Sequence, residues 1–196
     1  MESATFLLRI SLCLLLFFSL CSKSEVAAEK DLVQSSCAHA SYPTVCVKTL
    51  SAYAGTAETP GELAGAAVNV SLGRARKLSG YLSMAAAGLR SGSKRVRAAV
   101  RDCSEQMSDT VDELRRTLGE LKQVANGGAG SGQFRWHMSN AETWVSAALT
   151  NEDTCLDGFD GVDGKVKADV KRRINNVARV TSNALYLINR LDDAHP

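Results

Sequence analysis

Apolar residues recur at alternating steps of three and four along most of this chain, and no stretch alternates convincingly with period two. The clearest run is Val96, Val100, Cys103, Met107, Val111, Leu114, Leu118, Leu121 and Val124, all on one side of a long helix. An earlier stripe of Leu63, Ala67, Val70, Leu78 and Leu82 follows Thr59-Pro60-Gly61-Glu62. There Thr59 can cap, Pro60 suits the first helical position and Glu62 completes a capping box. Two further stripes complete the set. One spans about Met138 to Cys155, with Met138, Ala141, Val145 and Ala148 inward; the other carries Val166, Val170, Ile174, Val177, Ala184, Ile188 and Leu191. Gly88 to Gly92, Asn126 to Gly132 and Gly158 to Gly164 break the pattern, and the second break reads as a flexible linker.

Ahead of these lie two short amphipathic segments, Glu29 to Ala40 and Tyr42 to Ala54. Pro43 disfavours helix at Tyr42 and suits the first turn of a new one, so the pair reads as a helical hairpin. The expected fold is all-α: an antiparallel four-helix bundle over residues 60–192, preceded by a short hairpin over 29–54. Small residues at Ala66-Ala67, Ala85 to Ala87 and Ala147-Ala148 suit close helix approach.

The first residues stand apart. Phe6 to Leu20 is apolar except for Arg9 and two serines, and Val26-Ala27-Ala28 offers small residues for cleavage. Residues 1–28 therefore read as a secretory signal, leaving 29–196 as one mature domain. A membrane span needs about 20 apolar residues, and Arg9 interrupts this run. Removing the signal leaves the net charge at +2, too little basic excess for a nucleic-acid binder. No membrane association is expected of the mature chain.

Six cysteines become four, since Cys13 and Cys21 leave with the signal. In an oxidising compartment Cys37, Cys46, Cys103 and Cys155 read as disulfides. Of three pairings, Cys37–Cys46 with Cys103–Cys155 is preferred. The first is local and staples the hairpin. The second joins two inward stripes and restrains the unfolded chain by about 4 kcal/mol in the entropy model. A metal site is disfavoured, because His39, His137 and His195 show no zinc-like spacing.

Candidate chemistry is sparse. The three histidines supply no Ser–His–Asp arrangement, and His137 beside Trp136 reads as a packing residue at a helix start. Gly88 to Lys94 resembles a phosphate loop only faintly: no strand precedes it, and Arg95 stands where Ser or Thr is needed. Asp157, Asp160 and Asp163 are spaced by three, whereas an EF-hand needs ligands two apart. No catalytic residue, cofactor or small-molecule substrate is expected, and dense small-residue packing argues against a carrier with an open core. From Met138 to Gly164 there are six acidic residues and no Lys or Arg; Lys165, Lys167, Lys171, Arg172 and Arg173 follow. Complementary antiparallel helices are the first reading of that asymmetry and a docking patch the second. Asn69-Val70-Ser71 is the one glycosylation sequon, with Val70 on the inward stripe and Asn69 beside it.

Four blocks together resemble the plant invertase and pectin methylesterase inhibitor family over the whole mature chain. Cys37-Ala-His-Ala-Ser-Tyr-Pro-Thr-Val-Cys46 resembles its opening, and Arg101-Asp102-Cys103 matches its Asp-Cys on a long helix. His137 to Thr150, then Thr154-Cys155-Leu-Asp-Gly-Phe159, resembles its most distinctive block, and Val180-Thr-Ser-Asn-Ala-Leu185 its last helix. The resemblance implies a four-helix bundle with a helical hairpin, first-to-second and third-to-fourth cysteine pairing, and no catalysis. It implies reversible one-to-one inhibition of an enzyme in the apoplast or cell wall, across the active-site cleft and favoured by acidic pH. The family's invertase inhibitors carry a Pro-Lys-Phe tripeptide; here Pro43, Pro60 and Pro196 are not followed by Lys-Phe. The expected target is therefore pectin methylesterase, with invertase as the alternative. No enzyme domain follows Pro196, which suits a free inhibitor.

Overall fold

The computed structural model describes residues 32–89, 93–125 and 131–193. The signal reading, His195 and most of the Asn126–Gly132 linker fall outside the described residues. Residues 32–37 are helical (α1), followed by α2 (Pro43–Leu50) and a 3₁₀ turn (Ser51–Tyr53). Four long helices follow: α3 (Pro60–Gly88), α4 (Lys94–Ala125), α5 (Ser131–Asp157) and α6 (Lys165–Asp193). They run up-down-up-down in a square. α3 and α5 each pack on both α4 and α6, while α2 lies against α3 and α6.

Each long helix forms for reasons visible in its sequence. Thr59 accepts a hydrogen bond from the Glu62 amide at 3.2 Å, and Glu62 accepts in return from the Thr59 and Glu58 amides. That capping box satisfies donors the first turn of α3 would otherwise leave unpaired. Pro60 occupies the first turn, as expected. On α4 the stripe residues Val100, Cys103, Met107, Val111, Leu114 and Leu121 are buried, and Val96, Leu118 and Val124 pack partly against them. Thr110 and Thr117 are buried between them, and their hydroxyls donate to the Gln106 and Glu113 carbonyls one turn back. On α6 Val170, Ile174, Val177, Ala184, Ile188 and Leu191 are buried, with Val166 at the margin.

The core is one continuous cluster reaching from Val33 in α1 to Leu191 in α6. Leu63, Leu82, Leu114, Ile174 and Ile188 are among its fully buried members. Each such side chain contributes about 1.5–3 kcal/mol by leaving water. Two disulfides tie the cluster. Cys37–Cys46 closes the hairpin with its Cα atoms 5.6 Å apart. Cys103–Cys155 joins α4 to α5 at 4.3 Å.

Three boundaries differ from the sequence expectation. Helix α5 begins at Ser131 rather than Met138, so Ser131 and Gly132 belong to helix and not to linker. Phe134 explains the extra turns: it lies one turn before Met138 and packs partly against the same core. The second hairpin segment is an α-helix only to Leu50 before tightening into the 3₁₀ turn, and Tyr42 serves as its N-cap. On α3, Val70 is half-buried and Val68 takes the fully buried place. This helix meets α4, α6 and α2, so its apolar face is wider than the single stripe expected and includes Ala64, Ala66, Leu72 and Ala75.

Candidate docking surface

The seam between α4 and α5 carries an ordered ladder of polar side chains. Asn151 donates from Nδ2 to Glu113 Oε2 at 2.8 Å. About one turn along α4, the Arg116 guanidinium lies 4.5 Å from the centre of the Trp144 ring. Another turn on, His137 Nδ1 meets Glu120 Oε2 at 2.6 Å. The α5 members stand seven residues apart, at His137, Trp144 and Asn151; the α4 members stand three and four apart, at Glu113, Arg116 and Glu120. Two helices of opposite direction bring such positions into register.

The ladder is half-buried. His137 and Glu120 are each about a quarter exposed, at 24% and 23%. Burial pushes the Glu113 carboxyl above its ordinary value, helped by the charge of Asp109, while the Asn151 hydrogen bond pulls the other way. Beside the ladder, on the first turns of α5, Trp136 stands 66% exposed. A large aromatic ring left in water beside ordered polar groups has the composition of an interface anchor.

The acidic segment and the basic segment do not pair as complementary helices. Among the described residues, no ion pair joins the α5 carboxylates to the cations at the start of α6. Arg172 pairs with Asp169 of its own helix at 2.8 Å. Asp157 and Asp160 share only an open pocket of about 230 Å³ with Lys167 and Lys171. Glu152, one of the six acidic residues of that segment, points into the core. It is fully buried, its Oε1 accepts from the Thr181 hydroxyl at 2.9 Å, and its Oε2 has no hydrogen-bond partner. Burial raises its pKa to about 8, against the pull of the Thr181 hydrogen bond.

The remaining expected positions are dispersed. His39 is exposed in the hairpin turn, far in sequence from the seam. His137 lies well inside α5, with Glu120 as the orienting partner that sequence reasoning did not find. Asp157 is exposed at the last position of α5, and Asp160 and Asp163 are exposed on the connection to α6. Asn69 is exposed on α3, fully on the solvent side. Sequence reasoning missed the ladder, because its pairings depend on the register between α4 and α5.

These features define a class: a small antiparallel helix bundle, stapled by two disulfides, whose ordered polar chemistry lies along an open helical face. The match to a model described as plant invertase/pectin methylesterase inhibitor covers residues 31–187. "Pectinesterase inhibitor 3" of Arabidopsis thaliana is 51% identical over 84% of this chain and 80% of its own. A "21 kDa protein" of Daucus carota is 41% identical over 88% and 89%. The crystal structure of a mutant form of a pectin methylesterase inhibitor from Arabidopsis shares the fold. Its TM-score is 0.64 at 20% identity, covering 78% of this chain and 92% of that one. The chain belongs to the plant invertase/pectin methylesterase inhibitor family, a family of inhibitors rather than enzymes.

Proposed function

We propose that this chain is exported after loss of residues 1–28 and inhibits pectin methylesterase in the cell wall, binding one-to-one across the enzyme's active-site cleft. The observation that carries the reading is the 51% identity to a protein named as a pectinesterase inhibitor over most of both chains. The architecture supports it. A bundle held by two disulfides loses little conformational entropy on docking, so more of its contact energy becomes affinity. The α4–α5 ladder with Trp136 is the surface we assign to that contact. Asn69, exposed on α3, is the proposed glycan acceptor; secretion of Asn69→Gln from a plant host with no fall in mass would remove that assignment.

The test is a titration of the purified protein against a plant pectin methylesterase and an acid invertase, at acidic and neutral pH. Stoichiometric loss of esterase activity is expected, stronger at acidic pH. Loss of invertase activity alone would transfer the reading to the family's other activity, which the family description names first.

A further inference from the structure

Opposite the ladder, α3 and α6 enclose a groove of about 320 Å³ lined by Arg74, Lys77, Arg172, Arg173, Asn176 and an apolar floor of Leu78 and Val177. Four cations line it and no carboxylate does. Arg74 is half-buried, and its guanidinium donates to the Asn176 backbone carbonyl at 3.2 Å and to the Asn176 side-chain oxygen rather than to an acid. Desolvation pushes it below its ordinary value, so the fold holds this charge at a cost. The exposed Arg173 places its guanidinium over the Tyr81 ring, 4.0 Å from its centre, a cation–π contact that restrains it. Among the described residues, no carboxylate reaches ion-pair distance of Arg74, Lys77 or Arg173; Arg172 alone has one, Asp169.

The arrangement selects a ligand chemistry. The cations come from two facing helices, Arg74 and Lys77 from α3 and Arg172 and Arg173 from α6, which suits a ligand carrying more than one negative charge. Arginine's planar fork matches carboxylate geometry. Leu78 and Val177 form the apolar floor of the groove, which suits the C–H faces of sugar rings.

We propose that the α3–α6 groove binds a polyuronate, the carboxylate-bearing form of pectin that remains after its methyl esters are hydrolysed. The inference rests on the reading of this chain as a pectin methylesterase inhibitor, since that enzyme's product is such a polymer. The groove would hold the inhibitor on wall polymer already demethylated, beside the enzyme producing it, and leave the α4–α5 face free.

The test is retention of the whole chain on immobilised polygalacturonate, and on the same polymer fully methyl-esterified, across a salt series. Lys77→Gln/Arg172→Gln removes two exposed charges without touching Arg74 or the Arg173–Tyr81 stack. Retention only on the demethylated polymer, lost as salt rises and weakened at least about tenfold in the double variant with unchanged Tm, is the expected result. Three results would overturn the proposal: no retention, equal retention of the double variant, or equally strong binding to polyglutamate or phosphatidylserine vesicles. Esterase inhibition is measured separately on the same proteins. Failure of inhibition with retention intact removes the functional reading and not the groove, whereas loss of inhibition in the double variant with retention unchanged makes the groove an enzyme contact and overturns the proposal.

Discussion

Asn183 grips the backbone of Tyr42 from both sides. Its Nδ2 donates to the Tyr42 carbonyl at 3.0 Å, and its Oδ1 accepts from the Tyr42 amide at 2.9 Å. The two residues are 141 positions apart, and Asn183 is buried in α6. Tyr42 is the N-cap of α2, where Pro43 removes one donor and no side chain caps the turn. The Asn183 amide therefore satisfies the Tyr42 N–H, adds a second bond to a carbonyl that already accepts from the Cys46 amide, and fixes the hairpin to the bundle. The Arg179 guanidinium adds a looser contact, 5.6 Å from the centre of the Tyr42 ring.

Asn183→Ala leaves the Tyr42 amide without its partner, while the Tyr42 carbonyl keeps the bond from the Cys46 amide at 2.9 Å; the cost is about 1–3 kcal/mol. The expected outcome is a Tm lower by about 2–12 °C for a domain of this size. Amide exchange should accelerate at Tyr42 and through α2 while the centre of α4 stays protected. Uniform acceleration across the bundle, or none, would show that the hairpin is held by its apolar contacts instead.

Glu152 makes the bundle sensitive to pH. Its folded-state pKa of about 8 lies above the ordinary value of 4.5 because burial disfavours the charged form; Thr181 opposes the rise, and the charges of Asp153 and Glu113 add to it. A group raised on folding stabilises fully below its unfolded value and loses that contribution as pH climbs through its folded value. Stability should therefore be greatest below about pH 4.5 and decline toward pH 8. Glu113 and Glu142 are shifted in the same direction. Glu152→Gln keeps the shape without the titration, so its Tm should exceed the wild type's at pH 8 and vary less between pH 5 and 8. Parallel Tm–pH curves for the two proteins would exclude Glu152 as the source.

The sequence was most legible where one helix decides the outcome alone. The α4 stripe, the Thr59–Glu62 box and the inward placing of Cys103 and Cys155 follow from periodicity and local capping, which need no knowledge of neighbours. Glu152 shows how far that reasoning extends. The α5 stripe of Met138, Ala141, Val145 and Ala148 alternates steps of three and four, and the same alternation reaches Cys155 through position 152, so a carboxylate occupies a core register. The charge count gave it no place in the fold; the stripe, carried one step further, would have placed it inside. The Glu113–Asn151 and Glu120–His137 pairs were beyond reach, because cross-helix register depends on connections whose geometry one helix does not encode. Asn183 was noticed only as part of a family block, and its role depends on where the hairpin folds back.

The Cys103–Cys155 bond should be the larger of the two staples. It spans 52 residues, against nine for Cys37–Cys46, and loop closure in the unfolded chain costs more for the longer span. Replacing both Cys103 and Cys155 with Ser should cost about 4 kcal/mol, or roughly 8–16 °C in Tm. Removing the hairpin pair should cost less. Melting curves of both variants under oxidising conditions check the order, and a reversed order would point to native-state packing of the hairpin as the dominant effect.

Trp136 separates docking from stability. At 66% exposure it contributes little to the fold, so Trp136→Ala should leave stability within about 0.5 kcal/mol. An aromatic anchor at an interface typically costs 2 kcal/mol or more on truncation, which is about a 30-fold loss of affinity. Met84 provides the control. It is 71% exposed, but it lies near the C-terminal end of α3, at the other end of the bundle from the first turns of α5. Inhibition of pectin methylesterase should weaken about 30-fold or more in Trp136→Ala and hardly change in Met84→Ala, with both proteins melting like the wild type. If Met84→Ala is the damaging change, the contact lies at the α3 end of the molecule, and the ladder between α4 and α5 is a structural seam alone.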